Sequence, residues 1–227
     1  MRFEVLADAD AVAARAASLI AAAARDAVIA RGRFVFAVSG GRTPWAMLRL
    51  LAREDVPWPR VHVVQVDERV APANDPDRNL THLNETLLAN AQIDADHIHA
   101  MPVEATDLTD AVRRYEAMLR ALSGTPPVLD LVHLGLGPDG HTASLVPGDP
   151  ALRVTDADVT LTEPYQGHRR MTLTYPIIDR ARWLLWIVTG ADKVAALTKL
   201  RAGSRDIPGG RVRSDQAEVL ADRQAAP

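Results

Sequence analysis

The sequence predicts an α/β fold: a mostly parallel sheet covered by helices on both faces, with a small antiparallel excursion. Three observations carry this. Short runs that are apolar at nearly every position, among them Phe34-Val-Phe-Ala-Val38 and Trp183-Leu-Leu-Trp-Ile-Val188, alternate with segments of helical length. Each run gives way to Gly, Ser, Thr or Asp, the residues of turns. Residues 154–175 depart from the pattern, with two strand-like pieces around residues 164–167.

Residues 11–30 are rich in Ala, the best helix former, and predict an amphipathic helix with Leu19, Ile20, Val28 and Ile29 on its buried side. Arg15, Arg25 and Asp26 interrupt it, and Glu4, Asp8 and Asp10 precede it where a secretory leader would be basic, so it reads as neither membrane span nor signal peptide. A strand follows at 34–38, then Ser39-Gly-Gly-Arg-Thr43 and a helix opening at Pro44, a residue suited to the first helical position. A second strand, residues 61–66, leads into Asp67-Glu68-Arg69, a Pro/Asn/Asp-rich loop through Asp77 and a helix of roughly 79–88. A helix at about 108–122 precedes a strand at 130–134. The strand at 183–188 turns at Thr189-Gly190 into a helix at about 191–202. No linker or repeat divides the 227 residues, which read as one domain, 1–227.

Composition narrows the function classes. The chain is 48% hydrophobic and 24% charged, with a net charge of −3 and a pI near 6.2. No Lys/Arg cluster offers the footprint of a nucleic-acid partner. Cysteine is absent, which removes disulfides, thiolate zinc sites and cysteine nucleophiles and fits the reducing cytoplasm. Exposed apolar patches are not readable from sequence, so no oligomeric state follows.

In open α/β sheets ligands bind beyond the carboxyl ends of the strands. Four of the expected strands end in polar loops: Ser39-Gly40-Gly41, Asp67-Glu68-Arg69, Gly135 to His141, and Thr189-Gly190. Ser39 to Pro44 either cradles a phosphate on backbone N–H groups at a helix N-terminus or is a plain turn with Thr43 as N-cap. It lacks the lysine and spacing of a nucleotide-triphosphate loop. Gly135-Leu-Gly-Pro-Asp-Gly140 matches G-x-G-x-x-G, but Asp139 would repel a pyrophosphate, which argues against a dinucleotide. The same loop carries Asp139 and His141 two residues apart. In isolation such a pair is more often structural, and its place beyond a central strand favours acid–base chemistry. Asp67, Glu68 and Arg69 are able to hold sugar hydroxyls or an oxyanion. Lys193 and Arg170, surface cations taken singly, gain a reason to converge if the ligand is a phosphate. No G-x-S-x-G elbow is present. His97 and His99 form an H-x-H pair that reads as a strand edge, since no further ligand clusters with them in sequence. His62 and His133 read as packed, hydrogen-bonded strand histidines.

Taken together, Ser39-Gly-Gly-Arg-Thr-Pro44, Val66-Asp-Glu-Arg69, Asp75-Pro-Asp-Arg-Asn79, Gly135-Leu-Gly-Pro-Asp-Gly-His-Thr-Ala-Ser144, Arg170-Met-Thr-Leu-Thr174 and Thr189-Gly-Ala-Asp-Lys193 resemble the 6-phosphogluconolactonase family, in family order and over nearly the whole chain. The related glucosamine-6-phosphate deaminases carry a ring-opening glutamate where this chain has Val146, and usually Tyr where it has Arg69. The chain departs from the family's usual pattern at Val146, commonly Phe, and at Arg78, often Ser.

The resemblance implies a modified Rossmann-like fold and hydrolysis of 6-phospho-D-glucono-1,5-lactone in the oxidative pentose phosphate pathway, with a phosphorylated sugar lactone as the partner. It implies phosphate binding by Gly40, Gly41 and Thr43 with Lys193 and Arg170, and further substrate contacts from Ser39, Asp67 and Asn79. His141 is implied as the base for water, Asp139 as either its orienting partner or a hydroxyl ligand, and Arg69 as an oxyanion donor. A cyclic ester is already electrophilic, so no metal or organic cofactor is implied. The rival readings are an amino-sugar-phosphate deaminase and a non-catalytic sugar-phosphate sensor.

Overall fold

The computed structural model describes residues 1–226. The chain runs β1 (Arg2–Leu6), α1 (Ala9–Arg31), β2 (Phe34–Val38), α2 (Arg42–Leu51), β3 (Val61–Gln65), β4 (Asp67–Arg69), α3 (Asn79–Leu83), β5 (Ile98–His99), α4 (Leu108–Ser123) and β6 (Leu131–Gly135). It continues through β7 (Val159–Leu161), β8 (Arg170–Leu173), α5 (Tyr175–Arg180), β9 (Leu184–Val188), α6 (Val194–Arg201) and β10 (Ala217–Asp222). Seven strands form an all-parallel sheet in the order β1-β10-β9-β6-β2-β3-β5, and β4-β8-β7 form a small antiparallel sheet.

Alternation of side chains across the large sheet makes two cores. Phe34, Phe36, Val61, Val63, Leu185 and Ile187 face α1 and α2, while Val35, Ala37, Val64, Val132, Leu184 and Trp186 face the side of α4 and α6. Both faces are therefore apolar, which is why the strands read as continuous apolar runs.

α1 is capped by Asp8, whose carboxylate accepts from Ala11 N, and ends at Gly32 with φ 76°. Its buried stripe is Val12, Ala13, Ala16, Ala17, Ile20, Ala21, Ala24 and Ala27. Ile29, expected on that side, is 86% exposed. The three-and-four spacing of small residues, which lets the helix lie close to α2 and the sheet, outweighs the isoleucine's hydrophobicity.

Four further differences matter for the site. The run at 61–66 is broken: Val66 N donates to Val38 O at 3.0 Å, and β4 turns into the small sheet, pairing with β8. The helix at 79–88 is α-helical only to Leu83 and continues as a π turn, Asn84–Leu88. The segment at 191–202 opens with a 3-10 turn, Ala191–Lys193, before α6. β1 and β10 escape the sequence reading because each carries charged residues that interrupt its apolar run. Glu218 is buried by pairing with Arg2 at 2.6 Å, and Asp222 by accepting from Gly190 N and Ala225 N. No helix among the described residues is long and apolar enough to cross a membrane.

Candidate active site

A cleft of about 780 Å³ opens at the carboxyl ends of β2, β6 and β9, flanked by β4 and β8. Ser39, Gly40, Gly41, Thr43, Asp67, Arg69, Asn79, His141, Arg170 and Lys193 all line it. Asp139 stands behind His141.

The loop after β6 is built to present the histidine. Gly137 N donates to His141 O at 2.8 Å and Gly140 N to Gly137 O at 2.9 Å, closing a tight turn. A Cβ on Gly137 would lie 2.1 Å from Nδ1 of His141, so only glycine lets the imidazole fold back over the loop. Nδ1 of His141 is 2.6 Å from Oδ1 of Asp139. Burial alone would push the Asp139 carboxyl up, but the charge of His141 and hydrogen bonds from His141 and Tyr165 outweigh it and hold it below the usual range. The Asp139 carboxylate accepts, so in the neutral imidazole this contact favours the tautomer with the proton on Nδ1 and the lone pair on Nε2 of His141.

Tyr165 was invisible to the sequence reading. Its hydroxyl donates to Oδ2 of Asp139 at 3.2 Å, its ring stands edge-on to His141 with centroids 5.5 Å apart, and the Arg170 guanidinium lies 5.1 Å from its ring centre. Burial, then the neighbouring Asp139 charge, raises the Tyr165 hydroxyl above its ordinary pKa. It sits in the turn between β7 and β8, where no motif marks it.

The cations of the small sheet meet face to face. Arg69 and Arg170 are directly opposed on β4 and β8, an arrangement of like charges that costs stability unless an anion sits between or beside them. Nε of each is buried without a hydrogen-bond partner, although Arg69 Nη1 donates to Asp77 O. Burial lowers the Arg170 pKa, with Asp67 opposing and Arg69 adding to the effect. Asp67 accepts from Ser144 Oγ at 2.6 Å and is backed by Asn79, whose Nδ2 donates to Asp67 O at 2.9 Å.

Glu68 corrects the expectation that both carboxylates of the Asp-Glu pair face the ligand. It is wholly buried on the other side of β4, accepting from Gln65 Nε2 and the backbone N of Arg69, Asn79 and Leu80, and lies 3.1 Å from Nε of Arg78. Strand alternation sends neighbouring side chains to opposite faces. Arg78 answers that buried charge, and Asn79 is held by the same carboxylate.

The glycine loop supplies the third wall. Helix α2 begins at Arg42 with Gly41 as its cap at φ 131°, so Thr43 is not the N-cap. Its Oγ1 is instead 2.6 Å from that of Thr189, tying the loop to the end of β9. Gly40 packs on Asn79: a Cβ there would meet Asn79 Oδ1 at 2.1 Å. Ser39 turns inward, its Oγ donating to His133 O at 2.8 Å while its N–H donates to His133 Nδ1 at 3.3 Å. Lys193 lies across the cleft on the turn after β9, its Nζ 2.8 Å from Asp192. The cleft therefore joins one polarised imidazole, backbone N–H groups at a helix start and four cations, Arg42, Arg69, Arg170 and Lys193, a layout suited to opening an electrophilic bond in an anionic ligand.

Comparison with known proteins bears on the fold and the family. Residues 7–221 match the family described as glucosamine-6-phosphate isomerases/6-phosphogluconolactonase. The chain is 37% identical to a 6-phosphogluconolactonase of Nostoc sp. over 89% of this chain and 86% of that protein. It is 33% identical to one of Mycobacterium tuberculosis over 98% and 96%. The crystal structure of 6-phosphogluconolactonase from Thermotoga maritima superposes with a TM-score of 0.87 at 26% identity, covering 97% of this chain and 98% of that one. The chain belongs to the glucosamine-6-phosphate isomerase/6-phosphogluconolactonase family.

Proposed function

We propose that this chain, acting as a single cytoplasmic domain, hydrolyses 6-phospho-D-glucono-1,5-lactone to 6-phospho-D-gluconate, the lactone-opening step of the oxidative pentose phosphate pathway. The observation that carries the reading is His141, paired with Asp139 and facing a cleft of mixed charge in which Arg69, Arg170 and Lys193 stand among several aspartates. The relatives named 6-phosphogluconolactonase support it.

In the proposed mechanism, amides of Gly40 and Gly41, the Thr43 hydroxyl and Lys193 bind the phosphate. Ser39 and Asn79 hold that loop from behind, and Asp67 accepts a sugar hydroxyl. Arg69 and Arg170, given separate roles by sequence, act together because they are neighbours, supplying positive charge between the phosphate and the lactone. Nε2 of His141 takes a proton from water as its oxygen bonds to the lactone carbon. The resulting oxyanion is stabilised by the arginines and loop amides. Collapse breaks the bond to the ring oxygen, which receives the proton from His141.

The family description also covers amino-sugar isomerases. Val146, 5% exposed and apolar, stands where the resemblance places their ring-opening glutamate, which favours water attack. Two assays separate the activities. Acid release from freshly generated 6-phosphogluconolactone should exceed spontaneous hydrolysis, and glucosamine 6-phosphate should yield no ammonia. Ammonia release without lactone hydrolysis would overturn the proposal.

A further inference from the structure

Three of the histidines that do not line the cleft, His62, His97 and His99, gather at the edge of the large sheet. β5 pairs in parallel with β3, with Val64 opposite His99. Side chains two apart share a face of a strand, so His62 joins His99 on one face, and His97 enters on the same side. Nδ1 of His62 is 3.2 Å from Nε2 of His99, and the rings of His62 and His97 lie 3.9 Å apart between centroids. Asp94 and Asp96, in the turn before β5, each bring a carboxylate oxygen within 4.8 Å of a His97 nitrogen. Nδ1 of His97 is buried and has no hydrogen-bond partner.

We propose that His62, His97 and His99 form a binding site for a divalent transition metal of the zinc class, supported by Asp94 and Asp96. Three imidazoles are a sufficient protein ligand set for zinc with a fourth position open. Tetrahedral zinc with bonds of about 2.0–2.1 Å sets two ligand nitrogens roughly 3.3 Å apart, and His62 and His99 already stand close to that separation. As the side chains stand, the donor atoms that all lie within 4.8 Å of one another are those of Asp94, Asp96 and His97, so binding by the three imidazoles requires the His97 ring to turn away from its stack on His62. The carboxylates orient the rings or take the fourth position. Imidazole nitrogen selects zinc, nickel or copper over magnesium and calcium. The H-x-H pair lacked a third ligand in sequence; strand pairing supplies it from 35 residues earlier. None of the three histidines lines the cleft, so the site is separate from the proposed reaction and would clamp the short edge strand to β3.

The test is calorimetric titration of the chelator-stripped full chain with zinc at neutral pH, with cobalt as a spectroscopic probe and magnesium and calcium as controls. The site predicts one saturable zinc per chain, a tetrahedral cobalt spectrum, no response to magnesium or calcium, and a thermal midpoint that rises with zinc. His62→Gln and His99→Gln should each weaken zinc binding more than about 100-fold, and Asp96→Asn about 10-fold or more. Far-UV circular dichroism and unchanged lactone turnover would show these variants folded. No saturable zinc binding, a calcium response equal to that of zinc, or undiminished binding in both His62→Gln and His99→Gln would overturn the site.

Discussion

Oδ2 of Asp139 accepts from the hydroxyl of Tyr165 at 3.2 Å, while the other oxygen of the same carboxylate holds the imidazole of His141 at 2.6 Å. This geometry suits Asp139 to orient the proposed base His141, with Tyr165 holding the carboxylate from its other side. Asp139→Asn should reduce kcat by up to about 10⁴-fold, the loss seen when an orienting carboxylate is removed from a catalytic imidazole. Tyr165→Phe removes one hydrogen bond and should cost roughly 2- to 10-fold. Because it leaves the carboxylate less satisfied, it should also move the acidic limb of the kcat/KM profile to higher pH. An unchanged profile in Tyr165→Phe would reduce the tyrosine to packing.

Lys193 and the glycine loop are assigned to the phosphate. Lys193→Ala should lower kcat/KM for the phosphorylated lactone about 10- to 100-fold, the worth of a charge-assisted contact, and leave unphosphorylated gluconolactone nearly unaffected. Equal losses on both substrates would contradict the assignment.

His133 links the core to the site. It is fully buried, burial lowers its pKa to about 3, and its neutral Nδ1 accepts the Ser39 N–H of the glycine loop. The unfolded chain, with an ordinary histidine pKa of about 6.5, takes up a proton that the folded chain refuses. The His133 contribution to stability should therefore be full above pH 6.5 and fall by about 1.4 kcal/mol per pH unit from there toward pH 3, a loss of about 2 kcal/mol at pH 5. His62 and His99, whose pKa values are also lowered by burial and neighbouring histidines, add a slope of the same sign, so His133→Asn, which keeps an acceptor for Ser39, should make the slope of denaturant midpoints between pH 7 and 5 shallower without abolishing it. Identical slopes for the two proteins would contradict this.

The Arg78–Glu68 pair is nearly inaccessible, at 2% and 0% side-chain exposure. Arg78→Ala leaves the buried Glu68 charge with the Gln65 amide and the backbone N–H groups of Arg69, Asn79 and Leu80 as partners and should cost about 3–5 kcal/mol, or roughly 10 °C in Tm for a chain of this size. A loss below about 1 kcal/mol would show that these four donors satisfy the carboxylate without the arginine.

Much of this architecture is legible in the sequence because a parallel sheet buried on both faces leaves continuous apolar runs, and β2, β3, β6 and β9 all do so. β1 and β10 are silent because their charged residues are neutralised only by distant partners, as Glu218 is by Arg2. The loops at strand ends announce a site, since polar residues recur where ligands bind in such sheets. Their pairwise geometry is not announced. The facing of Arg69 and Arg170, the inward turn of Glu68 and the contact of Tyr165 with Asp139 all depend on the small antiparallel sheet, whose register no local pattern encodes.

The central claim is that His141 is the base that activates water. Acid release from freshly generated 6-phosphogluconolactone, corrected for spontaneous hydrolysis, should fall about 10²–10⁴-fold in His141→Ala with the fold intact by circular dichroism. Turnover near that of the unaltered protein would remove His141 from the mechanism.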